Sequence, residues 1–180
     1  MSDVPEIVFF TDFDGTITTI DSNDHLVYQM HSLNHSLEDC IEFQRKTIHL
    51  DAGFRTFYDW AKASNVPVVI LSGGLRPLIL ALLGKVLREA EIPEVELFSN
   101  EVEHSHDNIT ADFRRNWSVR LHDESEFGID KGVIIQQYVK KWSSLSENDR
   151  PTILFAGDGV SDLSAARAYD LLFAKGGKGL

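Results

Sequence analysis

The strongest constraint on the fold of this chain is a rhythm. Short, mostly apolar runs are each followed by a segment whose apolar residues recur at helical spacing. The runs are Ile7-Val8-Phe9-Phe10, Val66-Pro67-Val68-Val69-Ile70-Leu71, Val95-Glu96-Leu97-Phe98, Ile153-Leu154-Phe155-Ala156 and Leu171-Leu172-Phe173. Runs of this kind suit strands covered on both faces, as in a parallel sheet. Between them, Phe54, Phe57, Tyr58 and Ala61 share one helical stripe. Leu78, Ile79, Leu82, Leu83, Val86 and Leu87 make a broader stripe with Pro77 at the first helical position, and Ile134, Ile135, Tyr138, Val139 and Trp142 make a third. The alternation predicts an α/β fold: a doubly wound, Rossmann-like parallel sheet of about five strands with helices on both faces. The 180 residues suffice for one such domain with a modest insertion.

Two segments break the rhythm. Residues 20–50 hold two predicted short helices, near 23–31 and 36–48, and form a small helical insertion. The α/β core then comprises residues 1–19 and 51–180. Residues 99–122 alternate weakly between polar and apolar around Asp107-Asn108, which predicts an antiparallel hairpin.

Charge narrows the partners. Seventeen basic residues against 28 acidic ones leave a net charge of −11, which argues against nucleic acid and anionic membrane, since both select clustered Lys and Arg. Arg114-Arg115 and Lys140-Lys141 are isolated doublets and read as solvated surface. The lone cysteine, Cys40, excludes an intramolecular disulfide and suits a reducing compartment. No apolar run approaches the ~18 residues of a membrane span, and the first residues lack the basic stretch of a secretory signal. The expectation is a soluble, cytoplasmic protein, with nuclear entry left open. Nothing in the sequence sets its oligomeric state.

Doubly wound sheets bind their ligands beyond the carboxyl ends of the strands, so the residues after each run matter most. The first run leads into Thr11-Asp12-Phe13-Asp14-Gly15-Thr16. Acids two apart on an extended chain project the same way, and Gly15 lets the backbone turn sharply after them. The fourth run leads into Gly157-Asp158-Gly159-Val160-Ser161-Asp162. The second ends in Leu71-Ser72-Gly73-Gly74 ahead of a helix, a potential cradle for an anionic oxygen. Lys131, within Gly128-Ile129-Asp130-Lys131-Gly132, opens the helix before the fourth run, where the macrodipole disfavours a cation unless acids hold it. Taken singly, these have ordinary readings: a turn, an N-cap, a flexible loop, a surface lysine. Taken together, up to four aspartates at one sheet edge would raise each other's pKa values. A hard divalent cation relieves that repulsion, and Mg²⁺ fits best beside a phosphate.

The ordered set Asp-x-Asp-Gly-Thr, Ser-Gly-Gly, Lys and Gly-Asp-Gly-x-x-Asp resembles the haloacid dehalogenase superfamily. The chain is most similar to phosphatases of its phosphoserine phosphatase-like branch, fungal members included, over Ile7 to Phe173. The resemblance implies a Mg²⁺-dependent phosphatase that hydrolyses a small-molecule phosphomonoester through an aspartyl-phosphate intermediate. It casts Asp12 as the nucleophile and Asp14 as the acid that protonates the leaving alcohol and then deprotonates water. Asp12, the backbone carbonyl of Asp14, and Asp158 would bind Mg²⁺. Ser72, the amide of Gly73 and Lys131 would hold the phosphoryl oxygens. Asp162 would support the metal site and Lys131, and Thr16 would fix the loop by hydrogen bonding.

The branch usually carries a helical-bundle cap, which residues 20–50 replace in reduced form, and relatives continue past the point where this chain ends. A reduced cap keeps two alternatives in view: a catalytically impaired binding protein, and a phospho-accepting signalling module that the Asp-x-Asp spacing and the second acidic motif disfavour. Weaker signals have plainer readings. The pairs His31/His35 and His104/His106 read as solvated histidines, Asp21-Ser22-Asn23-Asp24 as a helix N-cap cluster with a leaving-group contact as the lesser alternative, and Cys40 as a small core residue. Arg76 is either an anion clamp or a surface residue.

Overall fold

The computed structural model describes residues 4–22, 35–104, 117–126, 128–159, 162, 164–165 and 168–176. Among them, six strands form one sheet: β1 (Ile7–Thr11), β2 (Val68–Leu75), β3 (Glu96–His104), β4 (Trp117–Arg120), β5 (Thr152–Gly157) and β6 (Leu171–Ala174). Their order is β4-β3-β2-β1-β5-β6. Every neighbouring pair is parallel except β3–β4. The described α-helices are α1 (Leu37–Thr47), α2 (Phe54–Ala63), α3 (Arg76–Leu83) and α4 (Lys131–Lys141).

The apolar runs are continuous because both faces of the sheet are covered. On one face Val8, Phe10, Val69, Leu71, Ile153 and Phe155 pack against Ile134, Ile135 and Tyr138 of α4. Phe10 meets Tyr138 edge to face at 5.1 Å. On the other, Ile70 and Leu97 pack with Phe54 and Tyr58 of α2 and Ile79 and Leu82 of α3. The helices on both faces are therefore those the stripes predict. α1 begins with a capping box between Ser36 and Asp39 and ends with Arg45 and Lys46 in its last turn. It buries Cys40 against Leu75 and Leu78 at the foot of α3. The helix predicted near 23–31 lies outside the described residues.

Three elements depart from expectation. The sheet has six strands rather than about five because the predicted hairpin joins it. β3 runs past its pairing with β2, and its outer half, Glu101 to His104, pairs antiparallel with Arg120 to Trp117. The turn residues Asp107-Asn108 lie outside the described residues. β2 does not stop at Leu71 but continues through Ser72-Gly73-Gly74, with an irregularity between Ser72 and Leu75 where the partner advances only from Ser99 to Asn100. Small polar and glycine residues carry no strand signal; the ladder to β3 holds them extended. α3 starts one residue before Pro77 and stops at Leu83, because Gly84 closes it; Val86 and Leu87 still pack into the same core from the following turn. Among the described residues no helix is long and apolar enough to cross a membrane.

Candidate active site

The end of β1 sits between β2 and β5, so a side chain just past it is flanked by the ends of both. The Asp12 N–H donates to Ala156 of β5 at 2.8 Å, which carries the ladder one residue beyond the strand. Its carboxylate then meets Lys131, the first residue of α4: Nζ donates to Asp12 Oδ1 at 2.5 Å and to Asp162 Oδ1 at 2.6 Å. Lys131 is 1% exposed. The other oxygen of Asp162 accepts the N–H groups of Asp158 (3.0 Å) and Gly159 (3.1 Å), which fixes the loop after β5.

Two glycines make this convergence possible. Gly15 has φ +73°, and a Cβ there would overlap the Asp158 carboxylate. A Cβ on Gly157 would overlap that of Asp162. Carboxylate oxygens of Asp12, Asp158 and Asp162 consequently lie within 4.8 Å of one another.

The electrostatics of this cluster follow from burial. Burial pushes the Asp12 carboxyl up to about 7 against the pull of the Lys131 ammonium. Burial opposes the charge on Lys131 too, but Asp12 and Asp162 outweigh it and hold the ammonium above its ordinary value. The Lys131 ammonium thus pairs with two of the three clustered carboxylates. An all-oxygen acidic donor set of this kind fits a hard divalent cation such as Mg²⁺, and lacks the nitrogen and sulfur ligands that zinc prefers.

Asp14 belongs to a second, adjacent arrangement. Its Oδ1 accepts both the N–H (2.9 Å) and the hydroxyl of Ser22, and its Oδ2 accepts the hydroxyl of Ser72 at 3.3 Å. Burial pushes this carboxyl up to about 6, with the Ser22 hydrogen bonds pulling the other way. Such a group can release a proton near neutral pH. The Gly74 N–H donates to Ser72 Oγ at 3.0 Å, and Asn100 Nδ2 donates to the Gly73 carbonyl at 2.7 Å. The peptide between Gly73 and Gly74 is held at both ends.

The structure therefore brings Asp12, Asp158, Asp162 and Lys131 into one cluster, with Asp14, Ser72 and Gly73 beside it. The metal-capable trio contains the side chain of Asp162 rather than that of Asp14. Thr16 donates to Asp12 Oδ2 at 3.3 Å, while the loop itself is tied by Thr18, whose Oγ accepts from the Gly15 N–H (2.8 Å) and donates to the Ile20 carbonyl (2.6 Å). Ser22, expected as part of an N-cap, spends its side chain on Asp14. Arg76 donates to the Leu97 carbonyl at 2.9 Å and lies 3.7 Å from Glu101. Cys40 is fully buried, its thiol pushed up to about 11 by burial. His31, His106 and the Arg114-Arg115 doublet lie outside the described residues. Thr18 and Asn100 were not legible as site residues, and the bond of Ser22 to Asp14 was not either, since a serine eight positions after an aspartate follows no spacing rule.

Comparison with known proteins agrees with this geometry. Residues 27–167 match the haloacid dehalogenase-like hydrolase family. Polyol phosphate phosphatase PYP1 of Saccharomyces cerevisiae is 37% identical over 204 residues, covering 96% of this chain and 82% of that protein. Pdp3-interacting factor 1 of Schizosaccharomyces pombe is 34% identical over 209 residues, covering 100% of this chain and 86% of that protein. A substrate-bound phosphoserine phosphatase shares the fold, with a TM-score of 0.62 at 16% identity, over 96% of this chain and 87% of that one. The chain belongs to the haloacid dehalogenase-like hydrolases. Within them it is a phosphatase, a hydrolase of phosphate monoesters.

Proposed function

We propose that this phosphatase is Mg²⁺-dependent, acts on a small alkyl phosphomonoester of the polyol phosphate kind, and works through an aspartyl-phosphate on Asp12. The observation that carries the reading is the buried contact of Lys131 with Asp12 and Asp162, with Asp158 in the same acidic cluster. Mg²⁺, held by Asp12, the carbonyl of Asp14, and Asp158, would offset the repulsion between carboxylate and phosphate when bound.

In the first step the Asp12 carboxylate attacks phosphorus. A bond from Asp12 oxygen to phosphorus forms as the ester P–O bond breaks, and the leaving oxygen takes the proton from Asp14. The Ser72 hydroxyl, the Gly73 amide and the Lys131 ammonium hold the phosphoryl oxygens as charge builds on them. In the second step a water oxygen attacks phosphorus while Asp14 accepts its proton. The bond to Asp12 breaks, and inorganic phosphate leaves with the carboxylate restored. Asp162 orients Lys131 and the loop bearing Asp158, and Thr16 orients Asp12.

Residues 20–50 would serve as a reduced cap over the core of residues 1–19 and 51–180. Both fungal alignments, at 204 and 209 positions, exceed the 180 residues of the chain and so include residues of the relatives that it lacks; a smaller cap would account for them. A small cap suits a small leaving group. The buried, unpaired Cys40 suits a reducing compartment such as the cytoplasm.

Phosphate release from glycerol phosphate tests the reading. We expect turnover that requires Mg²⁺, stops with a chelator, and falls by about a thousandfold or more in Asp12→Asn. Turnover retained in Asp12→Asn, or absent from folded wild type, would contradict it.

A further inference from the structure

We infer that Lys175, just past the end of β6, is a positioning residue that holds the loop after β1 against the loop after β5 and so sets the fit of the site to Mg²⁺; this rests on the metal reading above. Residues 13–18 make one tight turn, in which the N–H groups of Ile17 and Thr18 both donate to the Phe13 carbonyl at 2.9 Å. The last carbonyls of a helical turn have no partner within it, and a lysine near that end can bond them. Lys175, half-buried, does so: Nζ donates to the Thr16 carbonyl at 3.2 Å and to the Thr18 carbonyl at 3.4 Å. Its backbone N–H donates to the Gly157 carbonyl at 3.0 Å. One residue therefore bridges the two loops, from its main chain to one and from its side chain to the other.

Each end of this bridge lies next to a proposed metal ligand. The turn carries the Asp14 carbonyl, and its Thr16 hydroxyl donates to Asp12 Oδ2 at 3.3 Å. Gly157 leads directly into Asp158. Gly15 already approaches the Asp158 carboxylate so closely that a Cβ would overlap it. Packing of that kind stops the loops from closing further, but it does not stop them from spreading. The ammonium of Lys175 supplies that second restraint, since it ties the turn to the strand end that also holds Gly157. The ion proposed for the site is the one that notices: Mg²⁺ demands short bonds in near-ideal octahedral geometry, whereas Ca²⁺ accepts longer and less regular ones.

The sign of the effect separates positioning from charge. On electrostatic grounds alone, removing a cation from beside an acidic site tightens the binding of every divalent ion. Positioning predicts the reverse for Mg²⁺. In calorimetric titration of the metal-stripped protein, we expect Lys175→Met to raise the Mg²⁺ Kd by about tenfold. The Ca²⁺ Kd should change by less than about threefold. Lys175→Arg keeps a cationic donor for the same carbonyls and should recover most of the Mg²⁺ affinity. With glycerol phosphate, Lys175→Met should need about tenfold more Mg²⁺ for half-maximal turnover, while kcat at saturating Mg²⁺ stays within about threefold. Mg²⁺ binding that is unchanged or tighter in Lys175→Met, equal losses for Mg²⁺ and Ca²⁺, or a variant that no longer folds would overturn the inference. A folded wild type that binds no Mg²⁺ would remove the metal reading itself, and this inference with it.

Discussion

Lys131 is an ammonium group almost wholly removed from water, with Asp12 and Asp162 at 2.5 and 2.6 Å. Taking such a charge out of water is unfavourable by several kcal/mol unless its partners compensate, and removing one member of a buried pair leaves the others exposed to the full penalty. Lys131→Met should therefore destabilise the fold by about 3–5 kcal/mol at neutral pH, read from urea unfolding, and abolish turnover. A loss below about 1 kcal/mol would mean that the acids are already neutral and the contact is not ionic. At this scale the sequence was readable where chemistry imposes a spacing. Asp12 and Asp14 could be paired because a strand puts alternate residues on one side. Thr18 and Asn100 gave no such sign: each is an ordinary polar residue whose role comes from what the fold sets beside it.

Between elements, the bond from α2 to the turn before β3 is made by Arg55 and Glu91. Arg55 donates to Glu91 at 2.6 and 3.1 Å, and the Arg88 N–H adds a third bond at 2.7 Å. These contacts, Arg55 foremost, hold the Glu91 carboxyl at about 2, below its ordinary 4.5. A depressed carboxyl stabilises the fold above its unfolded value and loses that contribution as pH falls toward its folded one. Wild type should therefore lose stability between about pH 4.5 and 2 more steeply than Glu91→Gln, in urea unfolding at each pH. Parallel curves would show that the pairing contributes nothing. Element boundaries were least legible where packing rather than pattern decides them. The Ser72-Gly73-Gly74 end of β2 has no apolar signal and is extended because β3 lies beside it. β4, half of it polar, is a strand because the outer half of β3 offers it a ladder.

For the molecule as a whole, topology does what local sequence cannot. Lys131 is 119 residues from Asp12 and 31 from Asp162, yet one ammonium touches both, because β1 lies between β2 and β5 and α4 begins at the same sheet edge. The doubly wound plan and its active edge could be read from alternating runs and stripes, since both faces of the sheet impose apolar residues on every strand. The hairpin's membership of the sheet could not, because β4 attaches at an edge and buries little. Acid-quenching the wild type during turnover of phosphoryl-labelled glycerol phosphate, then mapping the label by peptide, tests the central chemistry most directly. The label should appear on the peptide containing Asp12 and vanish in Asp12→Asn. Steady turnover with no labelled aspartate, or with the label on any other residue, would contradict the account.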